Sequence, residues 1–346
     1  MATFGAPLVN DLANCALQFY TRGPALLQTM QDRPLLAWLE SNAKEFSGGN
    51  LYVNEPVKGT VMADTAGFMA GYADDQSLSF LQAQNVLQAQ YPWKEVHAGW
   101  VITHTELKKD GISVTDGESN TSDHSGDGFT RLVGILENRL EDFAESWARA
   151  NNNMLWADGS QDAAQVPGIR ALLLDDPTVG TVGGLSQATY IWWQSRKKLD
   201  LAPSPGNQTM SIFFRNEAIQ LQRYGGKPNK AFCGADFWDA ISREVQQKGE
   251  YTTTGFTSGV DIGLNKISVK GIGTFEYDPT LDTLGLGKYC FVLDSRRTRL
   301  RPMSGERNKL SKPARPYNYM IMLQSMTNTE ALAINQLNGQ GAYKIA

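Results

Sequence analysis

An apolar stripe through residues 129–154 constrains this chain more than any other feature of its sequence. Phe129, Leu132, Val133, Leu136, Leu140, Phe143, Trp147 and Met154 recur at spacings of three and four, which places them on one face of a helix. Asp127 stands where an N-cap is expected, and Glu145 and Arg149 form a favourably oriented i,i+4 pair. About 25 residues at 1.5 Å each make a rod roughly 37 Å long, and a rod of that length needs an extended platform to bury against. Asn151-Asn152-Asn153 and Asp158-Gly159 are expected to end it. The residues from Phe129 to Trp147 on this stripe are the expected core of the helix.

A chain of 346 residues allows two or three domains, or one large interlocked fold. Hydrophobic residues at 41% and charged residues at 20% are enough for a buried core and argue against wholesale disorder. The net charge of −4 excludes a globally basic nucleic-acid binder, although a local basic patch stays open. Cys15, Cys233 and Cys290 are widely spaced and contain no CxxC pair. That argues against a disulfide scaffold or cysteine-ligated zinc, and fits synthesis in a reducing, intracellular place. Residues 1–20 carry Asp11 and no basic stretch ahead of an apolar run, unlike a secretory signal. No apolar run approaches the eighteen residues of a transmembrane helix, so a soluble protein is expected.

Charge is uneven along the chain. Residues 1–127 hold 15 acidic and 7 basic residues, a balance of −8, which leaves +4 for the remainder. Within 291–315 stand Arg296, Arg297, Arg299, Arg301, Arg307, Lys309, Lys312 and Arg315 against Asp294 and Glu306. An acidic front and a basic back suit a protein that packs against copies of itself. Two ordinary solvated faces are the plainer alternative.

Prolines at 7, 24 and 34 and the Gly48-Gly49 pair make residues 1–50 read as an extended arm with a short helix near 35–46. Strand-like stretches at 51–62 and 88–107 flank the turn-prone Asp74-Asp75 and form a long hairpin. Such a hairpin has little core of its own and must lie on something else. Residues 108–127 are polar. Asp116, Glu118, Asn120, Ser122, His124 and Asp127 fall near calcium-loop spacing, but Thr121 replaces the required glycine and the last ligand is Asp, so a solvated loop is the better reading. Residues 201–310 form a separate unit, with helices at 216–224 and 235–245 and strands at 267–277 and 288–294. A strand at 317–325 then returns the chain to the first domain.

The search for chemistry finds no catalytic constellation. His97 and His104 lie in a strand-like stretch with no HExxH and no partner to complete a zinc site. GxSxG and GxGxxG are absent, and residues 283–288 miss the phosphate-loop spacing, so they read as a turn. Asp175-Asp176-Pro177 is a carboxylate pair and equally ordinary turn chemistry. No enzyme activity, cofactor or metal site is expected.

Several segments taken in order carry a resemblance. They are Gln90-Tyr91-Pro92-Trp93-Lys94, Thr103-His104-Thr105-Glu106-Leu107, the long helix ending in Asn153-Met154-Leu155-Trp156-Ala157-Asp158-Gly159, and Val166-Pro167-Gly168-Ile169-Arg170-Ala171-Leu172. Pro177 to Leu185, Ala188-Thr189-Tyr190-Ile191-Trp192-Trp193, Arg223 to Asn229 and the strand 271–279 follow. Over about residues 50–346 the series resembles the major capsid proteins of tailed bacteriophages with the HK97-like fold. The resemblance implies an α+β fold with an N-terminal arm (1–50), an E-loop hairpin (51–105), a P (peripheral) domain from 106–200 and 311–346 with a spine helix over about 129–154, and an A (axial) domain from 201–310. It implies a late structural protein that self-assembles as hexamers and pentamers into an icosahedral head shell around double-stranded DNA. Other implied partners are a portal at one vertex and a separate scaffolding protein, since no Glu/Lys-rich helical segment precedes the arm and Met1 is expected to mark an unprocessed start. A decoration protein is left open, and no membrane is involved. The location implied is the virion, assembled in the host cytoplasm.

Candidate inter-subunit contacts are Glu55, Asp64, Asp74, Asp75 and Glu95 on the acidic side, meeting Arg296, Arg297, Arg299, Arg301 and Arg307. Arginine suits this because its guanidinium binds a carboxylate bidentately. The basic segment facing packaged DNA is the alternative. Some relatives form a lysine–asparagine cross-link from the E-loop, for which Lys58 or Lys94 would serve. Two rival readings remain, an encapsulin-type nanocompartment shell and an enzyme with an unrecognised site.

Overall fold

The computed structural model describes residues 31–61, 69, 71–75, 80, 86–109, 126–248, 267–311, 319 and 321–346. In chain order the elements are α1 (Pro34–Ser41), β1 (Tyr52–Lys58), β2 (Val86–Pro92), β3 (Lys94–Thr103), α2 (His104–Lys109), α3 (Gly126–Trp156), α4 (Ile169–Leu172), β4 (Thr181–Val182) and β5 (Leu185–Ser186). They continue with β6 (Arg196–Leu201), α5 (Thr209–Gln222), β7 (Lys230–Cys233), α6 (Ala235–Lys248), β8 (Ile267–Val269), β9 (Gly273–Tyr277), α7 (Pro279–Thr283), β10 (Tyr289–Leu293), β11 (Thr298–Pro302), β12 (Lys309–Leu310), β13 (Ile321–Ile334) and β14 (Gly341–Ile345). Two compact units result, one from Met1–Gln31, Val96–Asn151 and Gly305–Asn328, the other from Asp32–Glu95, Asn152–Ser304 and Thr329–Ala346.

The larger unit is built on a six-stranded sheet of order β6-β14-β10-β7-β9-β8. Every residue of β10 is buried, as expected for a central strand covered on both faces. One face carries Ala231, Cys233, Phe275, Cys290, Val292 and Tyr343 against Phe214 and Leu221 of α5 and Phe237 and Ile241 of α6. The other face presents Phe232 and Phe291 to Trp38 of α1 and Trp156 at the end of α3, with ring centroids 5.1–6.0 Å apart. Helices thus cover both faces of the sheet.

Polar contacts fix these helices. Glu244 of α6 is fully buried and accepts the amides of Met210 (2.9 Å) and Ser211 (2.7 Å), so a neighbouring helix caps the N-terminus of α5. The buried Asn152 accepts from Leu36 N at 3.1 Å and donates to Thr280 Oγ1 at 2.7 Å. Asp278 accepts from Trp156 Nε1 at 2.8 Å and Thr280 N at 2.9 Å. Burial pushes the Asp278 carboxyl above its ordinary value despite those bonds. Gly168 lies against the end of α3, where an added Cβ would stand 2.3 Å from the Leu155 carbonyl oxygen.

In the smaller unit β3 pairs with β13, and β12 pairs with β13 through Lys309↔Thr327 and Leu310↔Met326. Arg139 of α3 forms an ion pair with Glu106 of α2, and Trp147 Nε1 donates to Asn308 Oδ1 at 3.1 Å.

Several expectations change in detail. The long helix spans 31 residues and begins at Gly126, so Asp127 lies inside it and is not its cap. Glu145 and Arg149 do pair, at 3.6 Å. The strand expected over 88–107 divides at Trp93, because β2 pairs with β1 while β3 pairs with β13, and a helix starts at His104. The helix expected at 35–46 is Pro34–Ser41, and its Leu35 and Leu39 are fully buried in the larger unit. The return strand runs over Ile321–Ile334. The last strand, β14, lies between β6 and β10 in the six-stranded sheet, although the sequence reading groups residues 311–346 with the spine helix. The polar loop with calcium-like spacing lies outside the described residues up to Gly126.

Candidate assembly surface

The hairpin alternates in the sequence and in burial. β1 reads exposed, buried, exposed throughout, and it pairs antiparallel with β2 from Tyr52↔Pro92 to Lys58↔Val86. The inner face, Val53, Val57, Ala89 and Tyr91, is buried on the chain's own larger unit. Tyr91 OH donates to the Ile334 carbonyl at 2.6 Å, and Gln90 N donates to the Gly183 carbonyl at 2.8 Å. Burial pushes the Tyr91 hydroxyl far above its ordinary range. Where the first strand leaves the sheet, a Cβ on Gly59 would stand 1.9 Å from the Trp192 indole, so the backbone lies flat on that ring.

Glu55 is the one charged residue on the inner face. Arg301 of β11 meets it with Nε at 2.8 Å from Oε1 and with a second contact through Nη2. Both side chains are only 11% exposed, and Arg301 Nη1 also reaches the Lys44 carbonyl at 3.5 Å. Lys44 N and Phe46 N donate to the Leu300 and Pro302 carbonyls of β11. One guanidinium therefore joins the hairpin, β11 and the segment after α1.

Beyond this anchored base the surface changes character. Val61, Met69, Tyr72, Phe80 and Val86 are exposed, Met69 at 90% and Phe80 at 91%. Large side chains left bare in one segment mark an interaction site more often than chance solvent exposure does. The outer face of the strands carries a single charge, Lys58, beside Asn54, Gln88 and Gln90 and the exposed Tyr52 and Val86.

The charged candidates separate into two groups. Glu55 and Arg301 pair within the chain. Arg296 also has an intrachain partner, the buried Asp294, at 3.0 Å, and Asp294 in addition accepts from Arg296 N and Lys227 N. Lys309 meets Glu306 at 2.6 Å. Glu55, Arg296 and Arg301, expected at contacts with adjacent subunits, thus each have an opposite charge close at hand within the chain. Lys58, Asp74, Asp75 and Glu95 are exposed, while Lys94, Arg297, Arg299 and Arg307 are half-buried. Asp64, Lys312 and Arg315 lie outside the described residues.

Of the expected spine core, the side chains of Phe129, Leu132, Val133 and Leu136 also lie outside them. Leu140 is 38% exposed, and Phe143 and Trp147 are half-buried and stacked with centroids 6.3 Å apart. Among its described side chains, the fully buried ones lie at its end, Asn152, Leu155 and Trp156. The triple asparagine reads as a helix stop, yet Asn152 is a buried tie to α1 and α7.

Among the described residues no group of three or more His, Cys, Asp or Glu is placed to hold a metal ion, and no helix is long and apolar enough to cross a membrane.

No family model matches the sequence, and no curated protein matches it. Solved structures do. The capsid asymmetric unit of cyanophage A-1(L) aligns over 95% of this chain and 98% of its own, with TM-score 0.59 and 13% identity. The capsid of Myoviridae phage XM1 aligns over 93% and 95%, with TM-score 0.52 and 10% identity. The holo-SrpI encapsulin complex from Synechococcus elongatus PCC 7942 aligns over 99% and 96%, with TM-score 0.50 and 11% identity. The α+β architecture is that of the HK97-like capsid fold.

Proposed function

We propose that this chain is the major capsid protein of a tailed bacteriophage, a structural protein without enzymatic activity that assembles into a closed shell around double-stranded DNA. The hairpin carries the reading: its paired strands are fastened to their own subunit, and Met69, Tyr72 and Phe80, between them in sequence, are exposed. A subunit that projects an apolar arm buries more surface against neighbours than a flat docked patch, and closed symmetry repeats that gain around the shell. On this reading residues 51–105 are the E-loop, α3 is the spine of the P domain and the six-stranded sheet with α5 and α6 belongs to the A domain. The partners are further copies of the chain, a scaffolding protein, a portal and the packaged DNA, in a virion assembled in the host cytoplasm. Glu55, Lys58, Asp64, Asp74, Asp75, Lys94 and Glu95 on one side and Arg296, Arg297, Arg299, Arg301 and Arg307 on the other remain candidates for contacts between subunits.

The double variant Met69→Asp, Phe80→Asp tests the reading. Shell formation should be lost in sedimentation, while circular dichroism and melting of the single subunit stay unchanged. Normal assembly of the double variant would count against the hairpin as the adhesive element.

A second reading, a shell enclosing cargo enzymes, draws support from the encapsulin likeness over nearly the whole chain. The two differ in contents, so nucleic acid or enzyme inside purified particles separates them.

A further inference from the structure

Two of the three cysteines stand opposite each other in strand register in the centre of the larger unit. In the antiparallel pair of β7 and β10, Cys233 is the register partner of Cys290. Both are free and fully buried, and both belong to the same apolar face, under α5 and α6. Gly234 N donates to the Tyr289 carbonyl at 3.1 Å, so the adjacent pair is hydrogen-bonded and, by the alternation of an antiparallel ladder, Cys233↔Cys290 is the non-hydrogen-bonded kind. In such a pair the Cα atoms are about 4.5 Å apart and the side chains closest, inside the roughly 4.4–6.8 Å that a disulfide spans.

We propose that Cys233 and Cys290 are a latent disulfide, reduced in the newly folded subunit and closed by peroxide once the protein leaves a reducing compartment. The geometry stands by itself, while the timing rests on the shell reading above, in which particles made in a reducing cytoplasm persist in an oxidising exterior. One thiol loses its proton and attacks hydrogen peroxide, giving a sulfenic acid and hydroxide. The second thiol displaces that hydroxyl as water, forming the S–S bond. Overall two thiols and one peroxide give one disulfide and two waters. Cys233 Sγ now points to the Glu276 carbonyl of β9 at 3.4 Å, so closure requires it to turn towards β10 and give up a weak bond. Burial raises both thiols above their ordinary range, so reaction waits on transient opening of the strand pair and is slow.

The bond would tie the two middle strands of the sheet across α6 and the segment that follows it. Closing so long a loop restricts the unfolded chain and raises stability.

The test uses the full chain carrying Cys15→Ser, which leaves this pair as the only thiols. The protein is held with hydrogen peroxide under native conditions, then denatured for thiol counting and peptide mass spectrometry without reductant. The expected result is a fall from two free thiols to none, one intrachain Cys233–Cys290 linkage with a loss of two hydrogens, and a higher melting temperature that dithiothreitol reverses. Two thiols surviving prolonged exposure, sulfinic or sulfonic acid at either residue, or interchain dimers would each overturn the proposal. Failure to form shells would remove only the timing, because the linkage is read on the single chain.

Discussion

Replacing Arg301 with glutamine removes the cation that neutralises Glu55 between the hairpin and β11. The two residues are 246 apart in sequence, and their side chains are each only 11% exposed. Water therefore cannot resolvate the carboxylate once the guanidinium is gone. Breaking a buried pair from one side costs about 3–5 kcal/mol, far above the ~0–1 kcal/mol of an exposed pair. Glu55→Gln leaves the guanidinium instead, which keeps the Lys44 carbonyl and can lean towards solvent, so its cost should be smaller. The double variant Glu55→Gln, Arg301→Gln should recover much of the Arg301→Gln loss, because no buried charge is left alone. Urea unfolding of all four proteins gives the coupling energy. A coupling near zero, with each single change costing under about 1 kcal/mol, would refute the argument and return these residues to the set of free surface charges. The loss should not depend on protein concentration, since the pair closes within one chain.

Three further outcomes follow from the same geometry. Glu244→Ala should cost about 3 kcal/mol in denaturant unfolding, from two charge-assisted bonds of about 1.5 kcal/mol each at the start of α5, and Glu244→Gln about half. Asp278 binds its proton more tightly folded than unfolded, so its contribution is full below the unfolded carboxyl value of 3.8 and is lost as pH rises through the raised folded value. Unfolding free energies of Asp278→Asn from pH 3 to 7 should lack that decline, and a parallel decline in both proteins would contradict the assignment. Trp147→Ala should cost about 1–2 kcal/mol by thermal melting, less than the ~3–5 kcal/mol of a fully buried tryptophan, because the ring is half-buried on Phe143.

Local periodicity exposed the elements whose physics is local. The three-and-four spacing from Phe129 to Met154 announced the long helix, and the strand-like stretches at 51–62 and 88–107 on either side of Asp74-Asp75 announced the hairpin. What stayed hidden depends on partners far apart in the chain. Nothing near Glu55 points to Arg301, and the ladder of charges from Arg296 to Arg315 reads as a free basic stretch until folding brings Asp294 and Glu55 to it. The final strand, Gly341–Ile345, is short and lacks alternation because both its faces are covered, so it gives no sign of lying in the middle of a sheet. Asn152 misleads for a related reason: asparagine ordinarily ends helices, and only the Leu36 amide and the Thr280 hydroxyl make it a buried tie. Cys233 and Cys290, 57 residues apart, become a pair only through strand register.

Electron microscopy of the assembled protein, with its nucleic-acid content measured, tests the central claim most directly. The account requires closed icosahedral shells, with the hairpin tip bearing Met69 and Phe80 resting on a neighbouring subunit and double-stranded DNA inside particles recovered from the host. Shells filled with enzyme would replace the phage reading by the nanocompartment one. Protein that stays monomeric when concentrated and when co-expressed with a proposed scaffolding protein, or shells in which Met69 and Phe80 face only solvent, would contradict the account.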